Sequence, residues 1–260
     1  MIRALSFGIV LLLCVSCARG TPNNPLLPPG ASPTKIPEAE YVGLGRYQKL
    51  AEITVAPTFG GVPFITFLEI RQAKESTTPH QDVPGFVYAL QGPHQISRDD
   101  GERGRTLSQG DVGWVDAGSD HVNPTTKEAI WDFVSFRSIT QRGQQLPYPS
   151  YRVLYQTGDL GTVPSGKQLV HQLGMITMDA GGRTSAHSHG GVEAFYVMKG
   201  TVQLAVNDGT RVKIAAGQGA SIRPGAIMQL RVVGDEPVQI LTYFVTPEGE
   251  PWQTNVQTLP

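Results

Sequence analysis

The chain has 260 residues, room for one large or two small domains and more than enough to bury a core. Its 21 basic and 22 acidic residues nearly cancel, which excludes the strong field that attracts nucleic acid or an anionic membrane surface and leaves a small molecule or another protein as partner. Glycine at 30 and proline at 20 are the punctuation of many short strands and turns.

Residues 1–17 read as a targeting segment, with Arg3 as its positive start and an apolar run over 7–15 too short to span a bilayer as a mature helix. The run ends in Cys14-Val15-Ser16-Cys17, which resembles the bacterial lipoprotein signal, although Cys14 stands where leucine is usual. That resemblance implies export to the periplasm or cell envelope, with a lipid anchor at Cys17 and plain secretion as the two alternatives. Both cysteines fall in this segment, so the body has no disulfide and no cysteine nucleophile or ligand. Residues 18–40 read as a tether, because 21–37 carries six prolines and few large apolar side chains.

Beyond Ala39 no segment has the periodicity of an amphipathic helix. Runs rich in β-branched and aromatic residues recur at 64–70, 86–90, 129–136, 168–178, 194–198, 228–233 and 238–245, separated by Gly, Pro, Asp and Asn. This spacing predicts an all-β body of sandwich or barrel type.

The segment from Gly181 to Gly200 concentrates the chemistry. His187 and His189 lie one residue apart, and Glu193 keeps the same parity, so on one extended strand all three side chains point to one face unless Gly190-Gly191 shifts the register. Gly181, His187, His189, Glu193 and Gly200 match, at every spacing, the first motif of the cupins, and the segment resembles that family. The resemblance implies a small antiparallel β-barrel with a metal inside.

Sliding the chain by 107 or 108 residues superposes Gly92 on Gly200, Gly110 on Gly217, Gly118 on Gly225 and Phe136 on Phe244. The duplication implies two tandem cupin barrels, an N-terminal one at 41–140 and a C-terminal one at 165–247, with a connector over 141–164 and a tail over 248–260. The second cupin motif places a further histidine three residues after a glycine. His121 stands there after Gly118, whereas Met228 stands there after Gly225. In the first copy His80 aligns with His187 and Asp82 with His189, and no carboxylate aligns with Glu193. His80, Asp82 and His121 thus form a second, weaker set.

Two histidines and a carboxylate with open positions suit a divalent transition metal that must also bind substrate or dioxygen. Iron or manganese heads the candidates, and copper, nickel or zinc also fits such ligands. Met228 is either a soft fourth ligand or barrel packing. Tyr243, Gln229 and Arg223 are the candidate substrate-binding residues: a tyrosine on the last strand, the neighbour of Met228, and an arginine at a turn near the barrel mouth. His94 reads as an exposed turn, and His171 as surface or pocket lining. The resemblance implies a metal-dependent enzyme acting on a small oxygenated molecule, of dioxygenase, decarboxylase, isomerase or amidohydrolase type. The alternative is a non-catalytic envelope protein that binds or senses a small ligand or metal. Exposed sheet edges favour pairing into a homodimer.

Overall fold

Short β-branched and aromatic runs cannot bury both faces alone, so they assemble into stacked sheets. A computed structural model of the protein describes residues 45–79, 83–97, 104–161, 166–257 and 259. Residues 1–17 with Cys17, residues 18–40, and both His80 and Asp82 lie outside them. Among the described residues there is no α-helix, only a three-residue 3₁₀ turn at Ile139–Gln141 and a succession of strands. The body is all-β, two tandem jelly-roll barrels.

The first barrel is built mainly from β2 (Pro63–Gln72), β3 (Ser76–Pro79), β4 (Gly85–Gln91), β5 (His94–Ser97), β6 (Thr106–Leu107), β7 (Val112–Val115), β8 (Asp120–Asn123) and β9 (Ala129–Ser138). The second uses β11 (Leu169–Met178), β12 (His187–Ser188), β13 (Val192–Lys199), β14 (Thr201–Val206), β15 (Arg211–Ala215), β16 (Gly219–Ile222), β17 (Met228–Val232), β18 (Val238–Pro247) and β19 (Thr254–Asn255). The remaining two strands cross over. β1 (Arg46–Val55) pairs antiparallel with β11 and so extends the second barrel, while β10 (Tyr151–Gln156) pairs with β2 and extends the first. The strand orders are β1-β11-β18-β13-β16 and β10-β2-β9-β4-β7 for the two facing sheets. The outer sheets are β15-β14-β17-β12-β19 and β3-β8-β5-β6.

This exchange departs from a division in sequence order. Residues 46–55, nominally in the first barrel, form an edge of the second, and the connector supplies an edge of the first. The tail also adds a strand, β19, to the second barrel. Each exchange covers backbone that would otherwise be an open edge.

Three apolar clusters follow from strand alternation. Phe195, Val197, Leu204, Met228, Leu230 and Ile240 belong to the core of the second barrel. Leu68, Val87, Leu107, Trp131 and Phe133 belong to that of the first. Between the facing sheets, Phe67, Phe86, Val134, Phe136, Leu173, Ala194, Leu241 and Tyr243 form a third cluster that joins the barrels. Burying a side chain of this size stabilises by about 1.5–3 kcal/mol, so the layer between the barrels is a substantial part of the fold.

One polar row crosses this layer. Arg152, Glu69, Asp132 and Tyr88 are successive cross-strand neighbours on β10, β2, β9 and β4. Arg152 donates to Glu69 at 3.0 Å, but Asp132 is buried and its Oδ1 has no hydrogen-bond partner. Burial, reinforced by the Glu69 carboxylate and opposed by Arg152, pushes the Asp132 carboxyl up to about 7. In an unfolded chain the same carboxyl titrates near ~4. Between those values the folded state holds the proton and the unfolded state has lost it, so this group lowers stability as pH rises from about 4 to about 7. Asp132→Asn is expected to raise the melting temperature on the order of 5 °C at pH 8 and to leave it nearly unchanged at pH 4, as read by calorimetry.

Candidate metal centre

His187 lies on β12 in the outer sheet, and Glu193 on β13 in the facing sheet. His189, Gly190 and Gly191 carry the chain from one sheet to the other. The three side chains therefore converge because the chain crosses the barrel, and not because a single strand alternates. Both glycines are required by close approach. A Cβ on Gly190 would stand 2.8 Å from Glu250 Cβ and from the Pro251 carbonyl, and one on Gly191 only 2.2 Å from the Val245 carbonyl.

His187, His189 and Glu193 are 5%, 3% and 1% exposed, and one ligand atom from each lies within 4.8 Å of the others. Each is held from behind. His187 Nδ1 donates to the Ser185 carbonyl at 2.7 Å and His189 Nδ1 to the Trp252 carbonyl at 2.6 Å. Both imidazoles thereby carry their proton on Nδ1 and turn an Nε2 lone pair away from these carbonyls, the arrangement that metal-binding histidines need. Thr242 Oγ1 donates to Glu193 Oε1 at 2.7 Å. His189 Nε2 and Glu193 Oε2 face each other at 3.4 Å, and neither makes a hydrogen bond. Two buried polar atoms left unpaired beside a third donor fit a shared cation.

The electrostatics couple the three groups. Burial lowers the His187 imidazole, which favours the neutral form that ligates. At His189 burial acts in the same sense, but the Glu193 carboxylate and the Trp252 carbonyl outweigh it and raise the imidazole. Burial would raise Glu193, yet the two histidines and Thr242 hold it below the usual carboxylate range. The carboxylate is poised to be charged in an apolar interior.

A cavity of about 90 Å³ opens on these groups. Its walls include Tyr47 from β1, Phe244 from β18 and Trp252 from the tail. Trp252 packs 4.9 Å from Tyr47 and 5.6 Å from Phe244, and Phe244 lies 4.7 Å from His189. Tyr47 accepts a hydrogen bond from Gln172 Nε2 at 2.6 Å. Burial, and secondarily Glu193, raises its phenol, so the hydroxyl stays protonated at neutral pH.

The other predicted site residues are placed elsewhere. Met228 is the direct antiparallel partner of His187, but it is fully buried in the apolar core and does not line the cavity. Gln229 is buried with its amide donating to the Thr184 carbonyl at 3.0 Å. Arg223 is half-buried at the turn before β17 and also lies off the cavity lining. Tyr243 faces the opposite side of β18: it is buried between the barrels, 2.5 Å from His171 Nδ1. Alternation explains this, because Thr242 and Phe244 on either side of it face the metal-capable groups. The tyrosine of the pocket is Tyr47, which carries no motif. Trp252 likewise carries no motif, although a tryptophan is a residue type that anchors a segment by packing.

The first barrel differs inside. His94 and His121 are both buried, with His94 Nε2 2.9 Å from His121 Nδ1, and His121 stacks on Trp131 at 4.4 Å. His94 is thus not an exposed turn, and burial lowers its imidazole to about 3. The residue paired with His121, as Met228 is with His187, is Thr78. Among the described residues, His187, His189 and Glu193 are the one group of three or more metal-capable side chains.

A cupin domain model matches residues 174–244. Among solved structures, the oxalate decarboxylase of Lactobacillus farciminis, solved as a formate complex, is 12% identical at a TM-score of 0.51, over 85% of this chain and 92% of that one. A Bacillus subtilis oxalate decarboxylase, described for its Mn(II) centers, is 13% identical at 0.51, over 85% of this chain and 82% of that one. Vicilin from tomato, Solanum lycopersicum, is 13% identical at 0.51, over 74% and 77%. At these identities the likeness is one of fold. A comparison with curated proteins finds no match.

The tail's carbonyl makes a direct prediction. Removing residues 251–260 deletes the acceptor that orients His189 and is expected to weaken metal affinity about 10–100-fold, measured by competition with a chelator. Trp252→Ala, which keeps that carbonyl, should weaken it less.

Proposed function

We propose that the second barrel is the metal centre of an enzyme acting on a small oxygenated molecule. The observation that carries this reading is the buried Glu193 carboxylate, facing His189 Nε2 at 3.4 Å with neither atom hydrogen-bonded and His187 beside them. His187, His189 and Glu193 would hold a divalent ion, and manganese or iron suits such ligands, with copper, nickel and zinc also compatible. The Mn(II) centers of the Bacillus subtilis neighbour favour manganese. Such an ion supplies Lewis acidity, or a place for dioxygen, to a carboxylate, enol or carbonyl. The protein's own residues do the rest. Ser185, Trp252 and Thr242 fix the three ligands, and the rings of Tyr47, Phe244 and Trp252 keep bulk water from the donor atoms.

The ligand set is shared by dioxygenase, decarboxylase, isomerase and amidohydrolase chemistry, and the neighbouring structures favour decarboxylation among these. The targeting segment and the proline-rich stretch after it support a protein exported to the envelope, anchored through Cys17 or released.

The test is elemental analysis of residues 18–260, purified without added metal, beside a His187→Ala/His189→Ala variant. About one equivalent of a single transition metal, lost in the variant, is the expected result. Metal retained in the variant would move the site to His80, Asp82 and His121. Absence of metal from both proteins, even after reconstitution, would leave an envelope binding protein as the better account. Metal without dioxygen uptake or release of carbon dioxide across small acids and enols would assign the centre to binding.

A further inference from the structure

The pocket over the metal-capable groups is completed by a strand from outside its own barrel. β1 brings Arg46 and Tyr47 to the cavity, with Arg46 exposed at its mouth and Tyr47 half-buried within. Tyr47 is seated by an absence on β11. A Cβ at Gly174 would lie 2.3 Å from Tyr47 Cε2 and 2.5 Å from its hydroxyl oxygen, so the phenol reaches the pocket because residue 174 has no side chain. Gln172, two residues earlier on the same face of β11, donates to the phenol oxygen. The one proton of Tyr47 meets no acceptor among the described residues. A half-buried hydroxyl whose oxygen already accepts one hydrogen bond and whose proton is unspent looks for an acceptor in the cavity.

Charge says what kind of acceptor. A divalent ion held by one carboxylate and two neutral imidazoles leaves the pocket net positive, and Arg46 adds a further positive charge at the entrance. The volume of about 90 Å³ admits only a few heavy atoms beside the ion. The aromatic walls of Phe244 and Trp252 suit a flat group.

Resting on the metal reading above, we infer that this pocket takes a small carboxylate or enolate anion and that Tyr47 is a substrate-contacting residue, donating its hydroxyl proton in a hydrogen bond to an anion oxygen. Arg46 attracts the anion to the mouth. Gly174 and Gln172 act as positioning residues, acting through Tyr47. Neutral molecules of the same shape lose the charge attraction and offer Tyr47 only a weaker, uncharged acceptor, so the pocket discriminates by charge.

The test uses the full mature protein loaded with Mn(II), titrated calorimetrically with glycolate and with its neutral amide, glycolamide. Tyr47→Phe keeps the ring over Gly174 and removes only the donor. Gly174→Ala keeps the hydroxyl and displaces the ring. Both are expected to retain about one equivalent of Mn(II) by elemental analysis, and to bind glycolate about tenfold or more weakly than wild type, the loss of one hydrogen bond to a charged group. Glycolamide should bind wild type more weakly than glycolate does, and should lose less affinity than glycolate on Tyr47→Phe, a neutral acceptor making the weaker hydrogen bond. Equal glycolate affinity in wild type and Tyr47→Phe would overturn the role of Tyr47. Equal affinity of wild type for acid and amide would overturn the anion class. A wild type that takes up no metal would instead overturn the reading beneath both, and shows itself before any anion is added.

Discussion

A carboxylate at 1% exposure inside an apolar barrel is the constraint on which the second barrel depends. Isolated in such a place, a charged Glu193 would cost several kcal/mol, and one hydroxyl from Thr242 offsets only part of that. The fold does not neutralise it by raising its pKa. Instead two histidines are turned towards it, their Nδ1 atoms tied to the backbone carbonyls of Ser185 and Trp252. The chain goes to some length to do so: two consecutive glycines lie where any Cβ would collide, Gly191 against β18 and Gly190 against the segment that goes on to supply the Trp252 carbonyl. A barrel that needed only an apolar core would have put a leucine at position 193.

The exchanged strands tie this site to the rest of the molecule. β1 leaves the sequence of the first barrel to pair with β11, and in doing so closes the pocket with Tyr47. β10 makes the reciprocal move onto β2. The second barrel's pocket thus combines its own motif region and strands β11 and β18 with residues 45–47 and 252–253, and neither of these two flanks belongs to the barrel's own span of sequence. The first barrel repeats the topology but fills its interior with rings. His121 sits where Met228 does in the second barrel, stacked on Trp131 and bonded to His94. Duplication preserved the strand order while the two interiors diverged in chemistry.

Much of this was legible before any coordinates. The spacing of His187, His189, Glu193 and the flanking glycines carried both the barrel fold and the candidate ligands, because a motif that fixes residue types at fixed offsets encodes a local backbone path. The duplication was legible for the same reason, since turn glycines such as Gly92 and Gly200, both at positive φ, recur where the chain must reverse. Strand parity would bring the three side chains to one face, but they converge instead because Gly190-Gly191 breaks the strand between them. What was not legible depends on pairing across distant sequence. Nothing local in Arg46–Val55 says that its partner is β11 rather than a neighbour in its own barrel, so Tyr47 went unseen and Tyr243 stood in its place. His94 looked like a turn residue because Gly-Pro precedes it, and only packing against Trp131 shows it buried.

On the proposed reading one ion sits between His187, His189 and Glu193. Anomalous diffraction from crystals of the metal-loaded protein, recorded on either side of the metal's absorption edge, tests it most directly. The expected result is a single strong peak within bonding distance, roughly 2.0–2.2 Å, of both histidine Nε2 atoms and a Glu193 carboxylate oxygen. A peak beside His121 in the first barrel, or none in a protein shown to be folded and metal-replete, would contradict it.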